Sequence, residues 1–245
     1  MSKYLYGAAV QGIQSFIFQT NKLQEIVGAS ELVEQICTSH FWNEAGIKED
    51  DPNIILNAAG NIKYIFDDEQ KCRDFVRNFS KSVMEIAPGI TISQAVVEIK
   101  DGQNNHQLLE NRLRTQRNRA ISISDGIGLM VMETARKTGG VGVAYKKEGV
   151  IDLAQEKKIK ASDKANRKLL EKLLGNQEKL IEKFPFDISD IAKDGEKSWI
   201  AVVHADGNNL GQKIISMVQS SGQEKSFRLM KNFSETLGEI TETAA

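Results

Sequence analysis

Apolar residues run almost unbroken from Tyr4 to Val10 and stop at Gln11-Gly12. A short apolar run ended by a turn signal predicts a buried strand. The spacing then changes. Leu23, Ile26, Val27, Val33, Ile36, Cys37, His40 and Phe41 recur at three- and four-residue steps, which predicts an amphipathic helical region closed by Gly46 and Pro52. Asn53–Leu56 and Ile62–Phe66 are short apolar runs joined by Asn57-Ala-Ala-Gly-Asn61, a linker whose small residues, Gly and Asn predict a hairpin. Cys72, Phe75, Val76, Phe79, Val83 and Ile86 mark one face of a second helix, ended by Pro88-Gly89, and Ile90–Ile99 again reads as a strand.

Residues 1–100 therefore follow the order strand, helix, strand, strand, helix, strand. That order is the ferredoxin-like plan of the α+β class, an antiparallel sheet with two helices on one face. Right-handed crossovers place the two helix-connected strands in the centre of the sheet.

Residues 101–197 lack this regularity. Gln107–Arg119 reads as a basic helix with Arg112, Arg114, Arg117 and Arg119, and Ile127–Arg136 as a second short one. Thr138-Gly-Gly-Val-Gly142 is a turn, Val143–Lys146 is extended, and a long polar helix rich in Lys and Glu spans Asp152–Lys183. The stretch reads as a mostly helical connector. Its arginines at 112–119 have no aromatic residues among them for base stacking, so they read as a solvated helix face, as do the lysines of 157–172.

Residues 198–245 begin again with a strand, Ser198–Ala205, and a helix from Gly207 to Gln219. Ser226–Ala244 is amphipathic, with Phe227, Met230, Phe233, Leu237 and Ile240 on one stripe. A lone apolar strand cannot satisfy its backbone or bury both faces. It must join the first sheet, pair with another chain, or belong to a domain completed elsewhere; the third reading is favoured.

The chemistry concentrates at the end of that strand. Asp206 stands at its tip, followed by Gly207-Asn208-Asn209-Leu210-Gly211 and a helix start. A carboxylate suits a hard cation, and the exposed N–H groups of such a turn suit phosphates. Period two puts His204 on the same strand face as Asp206. An internal comparison sharpens the picture: Ala8-Ala-Val-Gln11-Gly12 laid over Val203-His-Ala-Asp206-Gly207 places Gln11 on Asp206 and Gly12 on Gly207. Two copies of one strand-turn unit are implied, with the carboxylate only in the second. Cys37 and His40 have a Cys-x-x-His spacing, but they and Cys72 sit on or beside apolar helical stripes and read as core packing.

Composition narrows the classes. The 245 residues are 40% hydrophobic with a net charge of −1, enough apolar content for a proper core and no bulk charge for coating nucleic acid. Two cysteines do not make a disulfide framework. The N-terminus carries no signal-peptide pattern and no apolar run reaches the roughly 20 residues of a membrane span. A cytoplasmic protein with no membrane partner is the expectation.

Three places together resemble a known family: Gly12-Ile-Gln-Ser-Phe-Ile-Phe18 with Gly28-Ala-Ser-Glu-Leu-Val33; Leu56-Asn-Ala-Ala-Gly-Asn61 with its apolar strand; and Ala205-Asp-Gly-Asn-Asn-Leu-Gly211. They resemble the large palm-domain subunit of type III CRISPR effector complexes, the cyclic-oligoadenylate synthetase family. The resemblance implies two ferredoxin-like palms packed face to face with nucleotides between them. Residues 1–100 would be a degenerate first palm, 101–197 the connector, and 198–245 the N-terminal half of the second palm. It implies ATP as substrate or ligand, Mg2+ or Mn2+ as the metal, and antiviral defence as the setting. Other effector subunits and guide RNA are the implied partners. Asp206 would be a metal ligand, and Gly207, Asn208, Asn209 and Gly211 would lie near the triphosphate. The chemistry implied is two-metal phosphoryl transfer, with 3′-hydroxyl attack on an α-phosphate.

The chain departs from that pattern in ways that matter. The family's Gly-Gly-Asp-Asp hairpin occurs nowhere in it; the first-palm counterpart, Ala58-Ala-Gly-Asn61, has no carboxylate. Residues 101–197 contain no cysteine, so the zinc site common in the family connector is absent. No catalytic residue is assigned. The chain alone is expected not to synthesise anything, and the reading frame is expected to continue past Ala245 into the missing hairpin. Two other readings stand beside the nucleotidyltransferase. One is a non-catalytic palm that scaffolds a ribonucleoprotein complex or senses nucleotides. The other is a cyclase of the diguanylate type, disfavoured because its hairpin is also missing.

Overall fold

The computed structural model describes residues 2–119, 131–146, 149–174, 209, 212, 213, 216 and 223–244. Its first part runs β1 (Tyr4–Gln11), α1 (Ile13–Ile17), α2 (Leu23–Cys37), α3 (Ser39–Ala45), β2 (Ile54–Ala58), β3 (Asn61–Phe66), α4 (Glu69–Ile86) and β4 (Thr91–Glu98). The four strands form one antiparallel sheet in the order β2-β3-β1-β4. The α+β, ferredoxin-like expectation holds, with β1 and β3 central. Alternation sorts the side chains. Tyr6, Ala8 and Val10 of β1 and Ile62, Tyr64 and Phe66 of β3 face the helices, where Leu32, Ile36, Phe41, Phe75, Phe79 and Val83 close the main core. The ring of Phe75 lies 5.1 Å from Tyr6, at right angles, and 4.7 Å from Phe79. Asp68 caps α4 by accepting the N–H of Lys71 at 2.7 Å.

The opposite face of the sheet is not open. Leu5, Ala95, Val97 and Ile55 meet Leu109 and Leu113 of α5 (Asn105–Arg117) and Met230. Strand alternation turns the neighbouring isoleucines of β2 to opposite faces, so Ile54 serves one core and Ile55 the other, and a β-bulge between Ile54 and Leu56 shifts the register with β3. This is why β1 is apolar at nearly every position: both of its faces are buried.

Residues 142–146 and 149–174 also rest on this unit. β5 (Gly142–Lys146) and β6 (Gly149–Asp152) form an antiparallel hairpin leading into α6 (Leu153–Leu174), which packs along α2 and places Ala161 in the main core. The helix expected over Ile127–Arg136 is corrected where it is described. Residues 131–136 form bends and turns with a bridge from Thr134 to Val141, because the turn at Thr138-Gly-Gly folds Gly140 back to accept the N–H of Ala135 at 2.8 Å. The long polar helix is observed to Leu174, and its further expected length lies outside the described residues. The expected strand 198–205 lies outside them too. The amphipathic segment is α7 (Gln223–Ala244), which contacts β2 and the outer face of the sheet. Among the described residues no helix is long and apolar enough to cross a membrane.

Candidate functional site

At one end of the sheet the tip of β1 meets the β2–β3 hairpin. Gly12 leaves the strand at φ 61, ψ 29, a left-handed conformation that glycine adopts without strain, and α1 begins at once. The Gly12 carbonyl accepts the N–H of Phe16 and the hydroxyl of Ser15, both at 2.8 Å. The hairpin turns on Ala59 and Gly60, both at positive φ, as a two-residue type I′ turn requires. Its Gly60 carbonyl accepts the N–H of Val10 at 2.7 Å, which ties hairpin to strand tip. The Gln11 amide donates to the hydroxyl of Ser93 on the neighbouring β4.

The donor set is amide, hydroxyl and backbone: Gln11, Ser15, Ser93 and Asn61, with Asn61 Nδ2 donating to the Ala59 carbonyl at 3.1 Å. Positions 58–61 present no carboxylate. Among the described residues no group of three or more His, Cys, Asp or Glu side chains comes together. Magnesium wants carboxylate or phosphate oxygens in octahedral array, so this end of the first unit does not fit a resident Mg2+ or Mn2+.

Of the sequence-derived site, Asp206, Gly207, Asn208 and Gly211 lie outside the described residues, as does His204. Asn209 is described: it is exposed, sits at φ 60, and its carbonyl accepts the N–H of Lys213 at 3.1 Å. A left-handed Asn followed by an i to i+4 hydrogen bond is a turn passing into helix, and Asn tolerates that conformation better than most residues.

Sequence reasoning missed the support beneath the Gly12 turn. Lys158 of α6, read as part of a solvated face, is fully buried. Its Nζ donates to the Phe16 carbonyl at 2.7 Å and to Gln19 Oε1 at 3.0 Å, and lies 4.1 Å from the centre of the Phe16 ring. Burial lowers its pKa, opposed by the nearby Asp152 and Glu25 carboxylates. Glu25, also fully buried, takes Gln155 Nε2 at 3.2 Å and Lys22 Nζ at 3.7 Å. Asp152 caps α6 by accepting the N–H of Gln155 at 2.8 Å. The signal available in the sequence was the small-residue spacing Ala161, Ser162, Ala165, which marks an inward face one turn beyond Lys158. The arginine helix also carries a specific contact, from Arg112 to the Val96 carbonyl on the edge of β4. Cys37 and Cys72 are buried thiols, and His40 pairs with Ser82 at 3.0 Å and stacks on Phe79, so these groups pack the core as their positions suggested.

No family model matches the chain, and no curated protein matches it. Solved structures do. The Csm1-Csm4 cassette in complex with cA4 aligns at 14% identity with a TM-score of 0.38, covering 47% of this chain and 19% of that one. The same cassette in complex with AMPPNP aligns at 14% identity and a TM-score of 0.39, over 47% and 19% of the two chains. With one ATP the figures are 14%, 0.39, 47% and 18%. The aligned region is thus less than a fifth of the length of those chains.

Proposed function

We propose that this chain is a nucleotide-binding palm protein of the type III CRISPR kind, with the ATP-binding turn at Asp206–Gly211. The observation that carries the reading is the strand-turn unit at Val10–Phe16. There a strand tip, a left-handed glycine and a helix start are held against a tight hairpin, and the sequence repeats the strand and turn at Val203–Gly211 with aspartate in place of Gln11. In the first copy the amide of Gln11 is engaged by Ser93 and the hairpin has no acid, so this copy serves as framework. In the second copy Asp206 would hold Mg2+ or Mn2+, and the N–H groups of Gly207, Asn208, Asn209 and Gly211 would face the phosphates. The divisions 1–100, 101–197 and 198–245 belong to this reading, as do a cytoplasmic location and contacts with other effector subunits and guide RNA. Nucleotidyl transfer would need paired carboxylates from a further hairpin.

Isothermal calorimetry with ATP and Mg2+ tests it. Binding heat is expected for the parent chain and none for Asp206→Ala; equal heats from both would remove the site. A second reading, a palm without catalysis that scaffolds a ribonucleoprotein complex, is favoured by the carboxylate-free hairpin at 58–61. It calls for no binding heat in either protein.

A further inference from the structure

Helix α7 crosses the outer face of the sheet with Met230 buried and Phe227 half-buried against Leu5, Ile55, Ala95 and Val97. Beneath it lies a polar group that this apolar contact does not serve. The His106 ring of α5 is 4% exposed, its centre is 4.4 Å from that of Phe227, and among the described residues neither ring nitrogen has a hydrogen-bond partner. The charged groups facing it are Lys63 from β3 and Glu110 from α5, and these are paired with each other at 2.6 Å. From α7 come Phe227 and Met230, the latter with its sulfur 3.9 Å from Lys63 Nζ; from β1 and β4 come only aliphatic side chains. An imidazolium in this enclosure would meet an ammonium group, with the one carboxylate near it among the described residues already engaged.

We propose that α7 is a proton-releasable cover: it docks on the outer face of the sheet over a neutral His106, and acidification lifts it off and bares that face. Burial first, then the Lys63 ammonium, hold the His106 pKa down from 6.5 to about 4, with Glu110 opposing. Once α7 has left, the ring is solvated and its pKa rises towards 6.5, with the Lys63 ammonium and the Glu110 carboxylate still beside it. The released state therefore binds more protons between these values. Docking is complete above the higher pKa and weakens as pH falls towards the lower one. Between pH 8 and pH 5 the docking constant drops by up to about thirty-fold by linkage. Most of a helix's stability in a protein comes from packing of its apolar face, so release of this 22-residue helix also exposes its amides to exchange. The proposal stands apart from the nucleotide reading and is tested separately.

Hydrogen–deuterium exchange on the full chain at pH 8 and pH 5, corrected for intrinsic rates, reads the equilibrium directly. Amides of 223–244 are expected to lose several-fold and up to about thirty-fold in protection at pH 5 while those of β1 and β3 keep theirs. His106→Phe and His106→Gln both remove the titrating group, and in each the protection of 223–244 should no longer depend on pH in this range. Should one variant fail to fold, the other carries the test. Three results overturn the proposal: pH-independent protection of 223–244 in the parent, loss of β1 and β3 protection in parallel with α7, or a parent-like pH dependence in the variants.

Discussion

The Cα of Gly28 in α2 faces the backbone carbonyl of Lys158 in α6 so closely that a methyl carbon on that glycine would lie 1.7 Å from the oxygen. The two helices touch backbone to backbone there, which only glycine allows. The consequence reaches the candidate site. With α6 seated this close, the Lys158 side chain can cross to α1 and hold the Phe16 carbonyl. The position of the Gly12 turn thus depends on a glycine sixteen residues further along the chain.

Gly28→Val should force α6 away from α2. The fixed Cβ clashes with the α6 backbone at Lys158 and Ser162, so no rotamer change relieves it, and overpacking of this kind costs roughly 1–3 kcal/mol. Equilibrium urea unfolding is the measurement. The midpoint should fall by the corresponding amount, with Gly28→Ala in between. A Gly28→Val protein that unfolds at the parent's urea concentration would show that the helices can separate at no cost.

The buried thiols give the fold a sensitivity to alkali. Burial pushes the Cys37 thiol up from 9.0 to about 12 and the Cys72 thiol up from 9.0 to about 11. The fold thus favours the neutral thiols. Their contribution is fully present below pH 9 and is lost as pH rises towards the folded values, because only the unfolded chain gives up these protons. Each group can add a slope of up to about 1.4 kcal/mol per pH unit in that window. Unfolding free energies between pH 8 and pH 10 should therefore fall more steeply for the parent than for Cys37→Ala/Cys72→Ala. Parallel slopes would mean that the thiols titrate in the fold much as they do in water.

How legible each part was follows from what carried its signal. β1, the hairpin and the two core helices were readable because apolar residues alone set their periods, and the structure puts Phe75, Phe79 and Val83 on the face that the spacing named. The covering of the second sheet face was not readable. Leu109 and Leu113 are buried there, but they lie in a helix whose arginines dominate its pattern. Lys158 was hidden for a related reason: in a lysine-rich segment the lysine that donates to α1 is marked only indirectly, by the small residues Ala161, Ser162 and Ala165 that follow it on the same face. At the strand tip, Gly12 and the turn at 59–60 showed themselves through residue type. The link from Gln11 to Ser93 depends on the register between β1 and β4, where Gln11 pairs with Thr91, and a single sequence does not carry that register.

Ala59 is the one departure from turn chemistry at this end of the sheet. It sits at φ 51 beside Gly60 at φ 78. Type I′ turns favour Asn-Gly, and an L-residue with a Cβ is strained by about 1–2 kcal/mol in the left-handed region. Asn relieves much of that strain by bonding locally to its own backbone. Ala59 is exposed, so the added amide meets no packed neighbour, and the hydrogen bond from Asn61 to the carbonyl of residue 59 uses backbone that the substitution leaves in place. Ala59→Asn is therefore expected to stabilise the fold by about 0.5–1 kcal/mol and to raise the thermal midpoint by roughly 1–4 °C for a chain of this size. Gly60→Val should do the opposite, since its Cβ would lie 2.5 Å from Ile13 Cδ1 at a positive φ. Differential scanning calorimetry of the two variants reads both effects. A lower midpoint for Ala59→Asn would show that the hairpin's approach to the Gly12 turn, and not the turn conformation, sets the residue at position 59.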